Sequence, residues 1–269
     1  MRFLIGLLLL ALTARAELKT DIEFAKPGGV SLTLDAFVPE GNGPFPTCIL
    51  VHGGGFTRGD KTSFIKPLFE PLGKAGFAWF TINYRLAPTN RFPACIEDTE
   101  AAIRWVKAHA KEYKVDTQRI AIIGESAGGH IVSLVGVRAK GDTSIAAVVP
   151  FYAPHDLEFQ VKARNAAGKS MEALFGITEL NDAAWKTLRD ASSTSYLRKD
   201  LPRYLLIHGD KDAQVPYEQS VKFNEKMKAI GAHCDFITIK EGAHGMGGWA
   251  KLNSDYQEQM IAWLKKVLK

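Results

Sequence analysis

The stretch Ile120-Ala121-Ile122-Ile123-Gly124-Glu125-Ser126-Ala127-Gly128-Gly129 constrains the fold of this 269-residue chain more than any other. Its first four residues read as a buried strand, and the small-residue run from Ser126 to Val137 reads as a helix that begins at once. A strand-to-helix turn this tight holds its central residue, Ser126, in a strained backbone conformation, so the neighbours must be small. The turn aims the Ser126 hydroxyl away from the sheet, beside a helix N-terminus whose free N–H groups favour negative charge. Strand followed directly by helix is half of a crossover unit, and crossover units build a parallel sheet with helices on both faces.

The remainder of the chain repeats that rhythm. Residues 21–25 and 30–38 are β-prone and joined by Pro27-Gly28-Gly29, a hairpin signal. Apolar runs at 47–51, 77–84, 145–151, 204–208 and 236–239 read as further strands, and helical patterns fall at 63–74, 95–114, 217–230 and 256–268. The fold class is therefore α/β, a mostly parallel central sheet with helices on both faces. Residues 153–203 break the pattern, with helix-like pieces carrying Phe159, Met171, Leu174, Phe175 and Trp185 but no clear strand. An insertion of that length between strands acts as a lid or pocket wall. Residues 17–269 thus read as one domain with a lid-like insertion. The 46% hydrophobic and 23% charged content excludes disordered, collagen-like and coiled-coil alternatives.

Residues 1–16 have the parts of a secretory signal: Arg2, an apolar stretch over 3–12, and Ala14-Arg15-Ala16 as a small-x-small cleavage site. The apolar stretch is half of the roughly twenty residues that a spanning helix needs. The expectation is an exported chain, secreted or periplasmic, cleaved after Ala16 and without a stable membrane anchor. The net charge of +5 comes from Lys and Arg scattered among Asp and Glu, which gives no basic arm for nucleic acid. Cys48 reads as core, while Cys95 and Cys234 are free to pair in an oxidising compartment if the fold brings them together.

Gly124-Glu125-Ser126-Ala127-Gly128 fits G-x-S-x-G, and its place between strand and helix gives the motif its weight. A serine hydroxyl is a poor nucleophile without a base. Of seven histidines, His244 in Gly242-Ala243-His244-Gly245 lies just past the last strand, where a loop returns to the edge of the sheet carrying Ser126. His208 reads as a packed or backbone-bonded residue and His52 as a brace for the glycines after it. His109 and His233 read as surface residues, His130 and His155 as pocket-wall groups. The base needs an orienting carboxylate. In His208-Gly209-Asp210-Lys211-Asp212-Ala213-Gln214-Val215-Pro216, Asp212 lies beside a Val-Pro pair able to pin it, and Asp210 is placed to accept backbone N–H groups at the turn. The order Ser, Asp, His is the one this fold uses. His52-Gly53-Gly54-Gly55-Phe56 lets backbone N–H groups approach a developing oxyanion closely. A phosphate loop is the competing reading of those glycines, but the Lys-Ser/Thr of a P-loop and the dinucleotide spacing are both missing.

Together these segments resemble the α/β-hydrolase superfamily, and within it the bacterial carboxylesterases related to hormone-sensitive lipase and the small secreted feruloyl and acetylxylan esterase-like proteins. Asn83-Tyr84-Arg85-Leu86-Ala87-Pro88, Phe92-Pro93-Ala94 and Glu97-Asp98 extend the resemblance. It implies Ser126 as nucleophile, His244 as base, Asp212 as orienting acid, and N–H groups of Gly54, Gly55 and Ala127 as the oxyanion hole, leaving open which two of Gly53, Gly54 and Gly55 donate. It implies a serine esterase working through an acyl-enzyme on a small-molecule or carbohydrate-linked ester, with acyl or feruloyl esters of plant polysaccharide as the favoured substrate, and neither metal nor organic cofactor. Phe56, Trp185, Met246 and Trp249 are candidates to line an acyl pocket. A general short-chain carboxylesterase, an exported peptidase and a binding protein on an inactive hydrolase fold are the alternatives. The N-terminal helical cap of the hormone-sensitive-lipase relatives has no counterpart here, which leaves the insertion as the main pocket cover.

Overall fold

The computed structural model describes residues 15–253 and 255–269. All of the expected signal segment except Arg15 and Ala16 lies outside the described residues. Among these residues eight strands form one sheet: β1 Glu17–Ala25, β2 Leu32–Val38, β3 Phe45–Val51, β4 Ala78–Ile82, β5 Val115–Glu125, β6 Ala147–Phe151, β7 Arg203–Gly209 and β8 Cys234–Ile239. The helices are α1 Phe69–Lys74, α2 Ala94–Ala108, α3 Ala127–Arg138, α4 Leu157–Arg164, α5 Gly168–Phe175, α6 Asp182–Asp190, α7 Glu218–Ala229, α8 Trp249–Leu252 and α9 Tyr256–Val267.

The sheet order is β1-β2-β4-β3-β5-β6-β7-β8. The hairpin β1–β2 and the pair β2–β4 are antiparallel, and every pairing from β4 through β8 is parallel. The parallel strands are continuous apolar runs because both of their faces are covered. Along β3, Ile49 and Val51 enter one core while Cys48 and Leu50 enter the other. On β5, Ile120 and Ile122 alternate with Ala121 and Ile123 in the same way. One core receives α2, α3 and α7; the other receives α1, α8 and α9. Among the described residues no helix is long and apolar enough to cross a membrane.

The departures from the sequence reading have local causes. The helix expected over 63–74 is confined to Phe69–Lys74, preceded by a 3-10 turn at Lys66–Leu68, because Pro67 cannot continue a regular ladder. The helix expected over 95–114 stops at Ala108, and Lys114 turns the chain with φ 52° into β5, which begins five residues earlier than its apolar run. The segment Asn83–Pro88 is fixed by Arg85: its backbone N–H donates to Asp98 at 2.8 Å and its guanidinium pairs with the same carboxylate. Cys48, Cys95 and Cys234 are free and buried, so no Cys95–Cys234 disulfide forms. Burial pushes the Cys95 and Cys234 thiols up to about 12.

Candidate active site

In a parallel sheet every strand ends on the same edge, so the loops that follow β3, β5, β7 and β8 gather there. Ser126 sits between β5 and α3 with φ 54° and ψ −115°, a conformation that costs on the order of 1–3 kcal/mol and is held by its surroundings. Its N–H donates to the Phe151 carbonyl at 3.0 Å. Gly128 makes the turn feasible, since a Cβ there would overlap the Val51 and His52 carbonyl oxygens. The Ser126 hydroxyl donates to His244 Nε2 at 2.9 Å, and His244 Nδ1–H donates to Asp212 Oδ2 at 2.6 Å. A hydroxyl, an imidazole and a carboxylate from three loops thus form one hydrogen-bonded line.

The Asp212 side chain is buried and held by several donors. Its Oδ1 accepts the N–H groups of Gln214 and Val215 at 2.8 Å each, and His208 Nε2 lies 3.3 Å from Oδ2. Burial by itself would raise this carboxyl. Hydrogen bonds from His208 and His244, the charge on His244 and the Val215 N–H outweigh it, and hold the group well below the usual carboxylate range. Asp210 accepts the Glu241 N–H at 2.6 Å, and Lys211 N–H donates to the Gly242 carbonyl at 3.0 Å. The acid loop and the base loop are thereby joined through their backbones.

On the other side of Ser126, Gly54 and Gly55 have φ of 98° and 62°, values at which a side chain would be strained. The Gly53 N–H is already committed, donating to Glu125 Oε1 at 2.5 Å. The hydrogen bonds of this region leave the N–H groups of Gly54, Gly55 and Ala127 without an acceptor among the described residues. His52 accepts no substrate role: its Nδ1–H donates to the Gly53 carbonyl at 2.8 Å, and its ring stacks on Tyr84 at 4.4 Å. Burial lowers its pKa to about 4.

A cleft of about 480 Å³ opens over Ser126 and His244. Thr57, Arg58 and Phe64 form one wall, the insertion contributes Gln160, Arg164, Ser170 and Met171, and Gln214 and Val215 of the acid loop line another side. Of the four side chains expected to line an acyl pocket, only Phe56 borders the cleft. Trp185, Met246 and Trp249 do not. Trp249 is 1% exposed, packs against Tyr152 and Phe151, and donates its Nε1–H to the Ala243 carbonyl, because α8 folds its ring under the base loop. Met246 joins the same core, and Trp185 lies on α6 beneath the Lys162 ammonium. His130 and His155 are also core residues with no exposure, bonded to the Pro154 carbonyl and to Ser133 respectively.

Three contributors escaped the sequence reading. Glu125 links the serine turn to the glycine loop; burial pushes its carboxyl above the ordinary range against hydrogen bonds from Tyr152 and Gly53. A charged residue inside a run of small apolar ones was the available signal. Tyr152, just past β6, meets the His244 ring edge-on at 4.7 Å. His208 is packed, as its strand position suggests, but it also faces Asp212.

Residues 34–227 match the BD-FAE family, a span that holds Ser126 and Asp212 and ends before His244. A Mycobacterium tuberculosis protein described as "Probable carboxylic ester hydrolase LipM" is 31% identical over 198 residues, 70% of this chain and 46% of that one. An acetylxylan esterase of Xylanibacter ruminicola is 26% identical over 271 residues, 98% of this chain and 54% of that protein. The chain spans about half the length of the curated relatives it matches. In structure it superposes on a truncated carbohydrate esterase from gut microbiota with a TM-score of 0.82 and 25% identity, covering 96% of this chain and 98% of the other. Eight strands in this order, a serine at the β5–α3 turn and a family match across most of the sheet lead to one assignment: the chain belongs to the BD-FAE family and has the α/β-hydrolase fold.

Proposed function

We propose that this protein is an exported serine carboxylic-ester hydrolase that works through an acyl-enzyme on acylated carbohydrate. The reading rests on the line Ser126–His244–Asp212, with its two hydrogen bonds of 2.9 and 2.6 Å. Ser126 Oγ attacks the ester carbonyl as His244 Nε2 takes its proton, and Asp212 stabilises the imidazolium. The oxyanion is received by N–H groups of Gly54, Gly55 and Ala127, each donor worth about two to three powers of ten in rate. His244 then protonates the leaving alcohol, and water repeats the sequence on the acyl-enzyme.

The cleft supports a short acyl group on a polar alcohol better than a feruloyl group. Thr57, Ser170 and Gln214 offer hydrogen bonds, and three of the four large apolar side chains expected to line an aromatic acyl pocket are packed elsewhere. The carbohydrate assignment also draws on the named activities of the acetylxylan esterase and carbohydrate esterase relatives. The export reading rests on the signal-like sequence at 1–16 and is checked by fractionating cells that express the full chain. The test of the chemistry is hydrolysis of p-nitrophenyl acetate and of acetylated xylan by wild type and by Ser126→Ala. A fall in kcat on the order of a millionfold is expected for loss of the nucleophile. Turnover near wild type in the variant would reject the assignment.

A further inference from the structure

The cleft carries two positive charges, on the exposed side chains of Arg58 and Arg164, that the ester chemistry leaves unused. Arg58 follows the glycine loop, Arg164 closes α4 in the insertion, and both line the cleft that contains Ser126 and His244. They come from segments about a hundred residues apart in sequence, so their convergence is a property of the fold. Three other cations of these segments are already paired. Lys61 lies 2.8 Å from Asp21 and 3.2 Å from Asp35, Lys162 lies 2.6 Å from Glu158, and Arg189 shares that carboxylate at 3.4 Å. Arg58 and Arg164 have no carboxylate within ion-pair distance among the described residues; Arg58 rests 6.0 Å over the ring of Phe64. The cleft holds one acidic side chain, Glu125, which is 4% exposed and turned onto the Gly53 N–H. A ligand entering this cleft therefore meets net positive charge.

We infer that the cleft selects esters bearing a carboxylate remote from the reacting carbonyl, with Arg58 and Arg164 as the specificity-determining pair. Guanidinium groups match a carboxylate in a planar, two-bond geometry that a neutral hydroxyl cannot reproduce. The carboxylate has two chemical sources, an acidic sugar on the alcohol side or a dicarboxylic acyl group. Phe64, half exposed at the rim beside Arg58, offers a flat apolar face of the kind a sugar ring covers. The inference deepens the esterase reading and rests on it.

The experiment compares kcat/KM for matched charged and neutral esters. In the alcohol-side arm, acetylated xylo-oligosaccharide bearing a glucuronic acid substituent is set against the same oligosaccharide without it. In the acyl-side arm, the p-nitrophenyl monoester of adipic acid is set against p-nitrophenyl hexanoate. A charged-to-neutral ratio on the order of ten or more is expected in one arm, since two partly exposed charge-assisted contacts are modest individually. The arm that shows it identifies the source. The ratio should shrink from 20 to 500 mM NaCl as the ionic contacts are screened, and it should fall toward one in the double variant Arg58→Gln/Arg164→Gln. Ratios at or below one in both arms overturn the inference, as does a ratio that the double variant leaves unchanged. If wild type hydrolyses none of the four esters while remaining folded by circular dichroism, the esterase reading fails and the inference falls with it.

Discussion

Replacing Asp212 by asparagine tests the arrangement at its most constrained point. The carboxylate makes four contacts: Gln214 and Val215 N–H groups on Oδ1 at 2.8 Å, and on Oδ2 the His244 Nδ1–H at 2.6 Å and His208 Nε2 at 3.3 Å. All of these neighbours are donors toward the carboxylate. An amide is isosteric, but half of it is itself a donor. If its oxygen stays with Gln214 and Val215, its NH₂ faces His244 Nδ1, which must become an acceptor. The ring proton then moves to Nε2, 2.9 Å from Ser126 Oγ, where it blocks acceptance of the serine proton. If the amide flips, its NH₂ opposes the Gln214 and Val215 N–H groups and deprives the part-buried Val215 donor of its acceptor, at roughly 1 kcal/mol or more, so the wrong tautomer is the stable outcome. The same change in the Ser-His-Asp template lowers kcat about 10⁴-fold, which corresponds to roughly 5.5 kcal/mol of barrier. The assay is p-nitrophenyl acetate turnover near neutral pH, with the melting temperature confirming a folded variant. Asp210→Asn is the control: Asp210 holds only the Glu241 N–H, and a loss under tenfold is expected. An Asp212→Asn enzyme within tenfold of wild type, or an equal fall for Asp210→Asn, would refute the reasoning.

Glu125→Leu removes the acceptor of the Gly53 N–H and leaves that donor buried, a cost of about 1–3 kcal/mol. With the glycine loop released, kcat on p-nitrophenyl acetate should fall roughly tenfold to a hundredfold, and an unchanged kcat would separate Glu125 from the oxyanion loop. His130 is fully enclosed, donates to the Pro154 carbonyl at 2.9 Å and has no partner at Nε2 among the described residues, and burial lowers its pKa to about 4. The unfolded chain protonates such a residue below about pH 6.5 while the folded chain resists to about pH 4, so its contribution is complete above 6.5 and lost on the way down. That difference is worth about 3 kcal/mol. Urea midpoints between pH 7.5 and 4 should therefore fall less steeply in His130→Leu than in wild type; parallel curves would remove His130 as the cause. Cys48, Cys95 and Cys234 are buried with thiols raised by burial, so Ellman's reagent should react with none in the native protein and with three in urea.

What could be read from the chain, and what could not, follows from the range over which each residue acts. Ser126, Asp212 and His244 are legible because each closes an apolar run within a few residues, and a parallel sheet sends all such closures to one edge. The place of Asp210, accepting a backbone N–H at the turn, was legible for the same local reason, whereas the approach of His208 to Asp212 was not. The Glu125–Gly53 bond spans 72 positions and exists only because β3 lies directly beside β5, an adjacency that apolar runs alone do not reveal. Tyr152 depends on β6 lying next to β5 and β7. The misplaced aromatics show the opposite limit. Trp249 is near His244 in sequence, but a short helix turns its ring into the core beneath the base loop, where burial of a large apolar surface outweighs its use as a wall.

The division of labour within the site has a physical origin. The reacting groups are fixed largely by main-chain bonds that survive changes of side chain: Ser126 N–H to Phe151, Lys211 N–H to Gly242, Asp210 N–H to Ile239, and Asp212 capped by two amides of its own loop. Close backbone packing at Gly128 and Gly209 tightens the same edge, since a Cβ at either position would strike main-chain atoms of the neighbouring loop. The walls are held differently. Gln160 reaches the Gln214 carbonyl at 3.1 Å and Gln219 at 3.2 Å, a side-chain network joining α4 to the acid loop. Arg164 and Ser170 project from α4 and α5, whose helices would persist with other residues in those places, and Arg58 projects from the loop after the glycines. Substitutions there change what the cleft admits without moving the hydroxyl, the imidazole or the carboxylate. On the esterase reading proposed above, Arg58 and Arg164, without an ion-pair partner among the described residues, are the side chains through which this cleft would choose its ester.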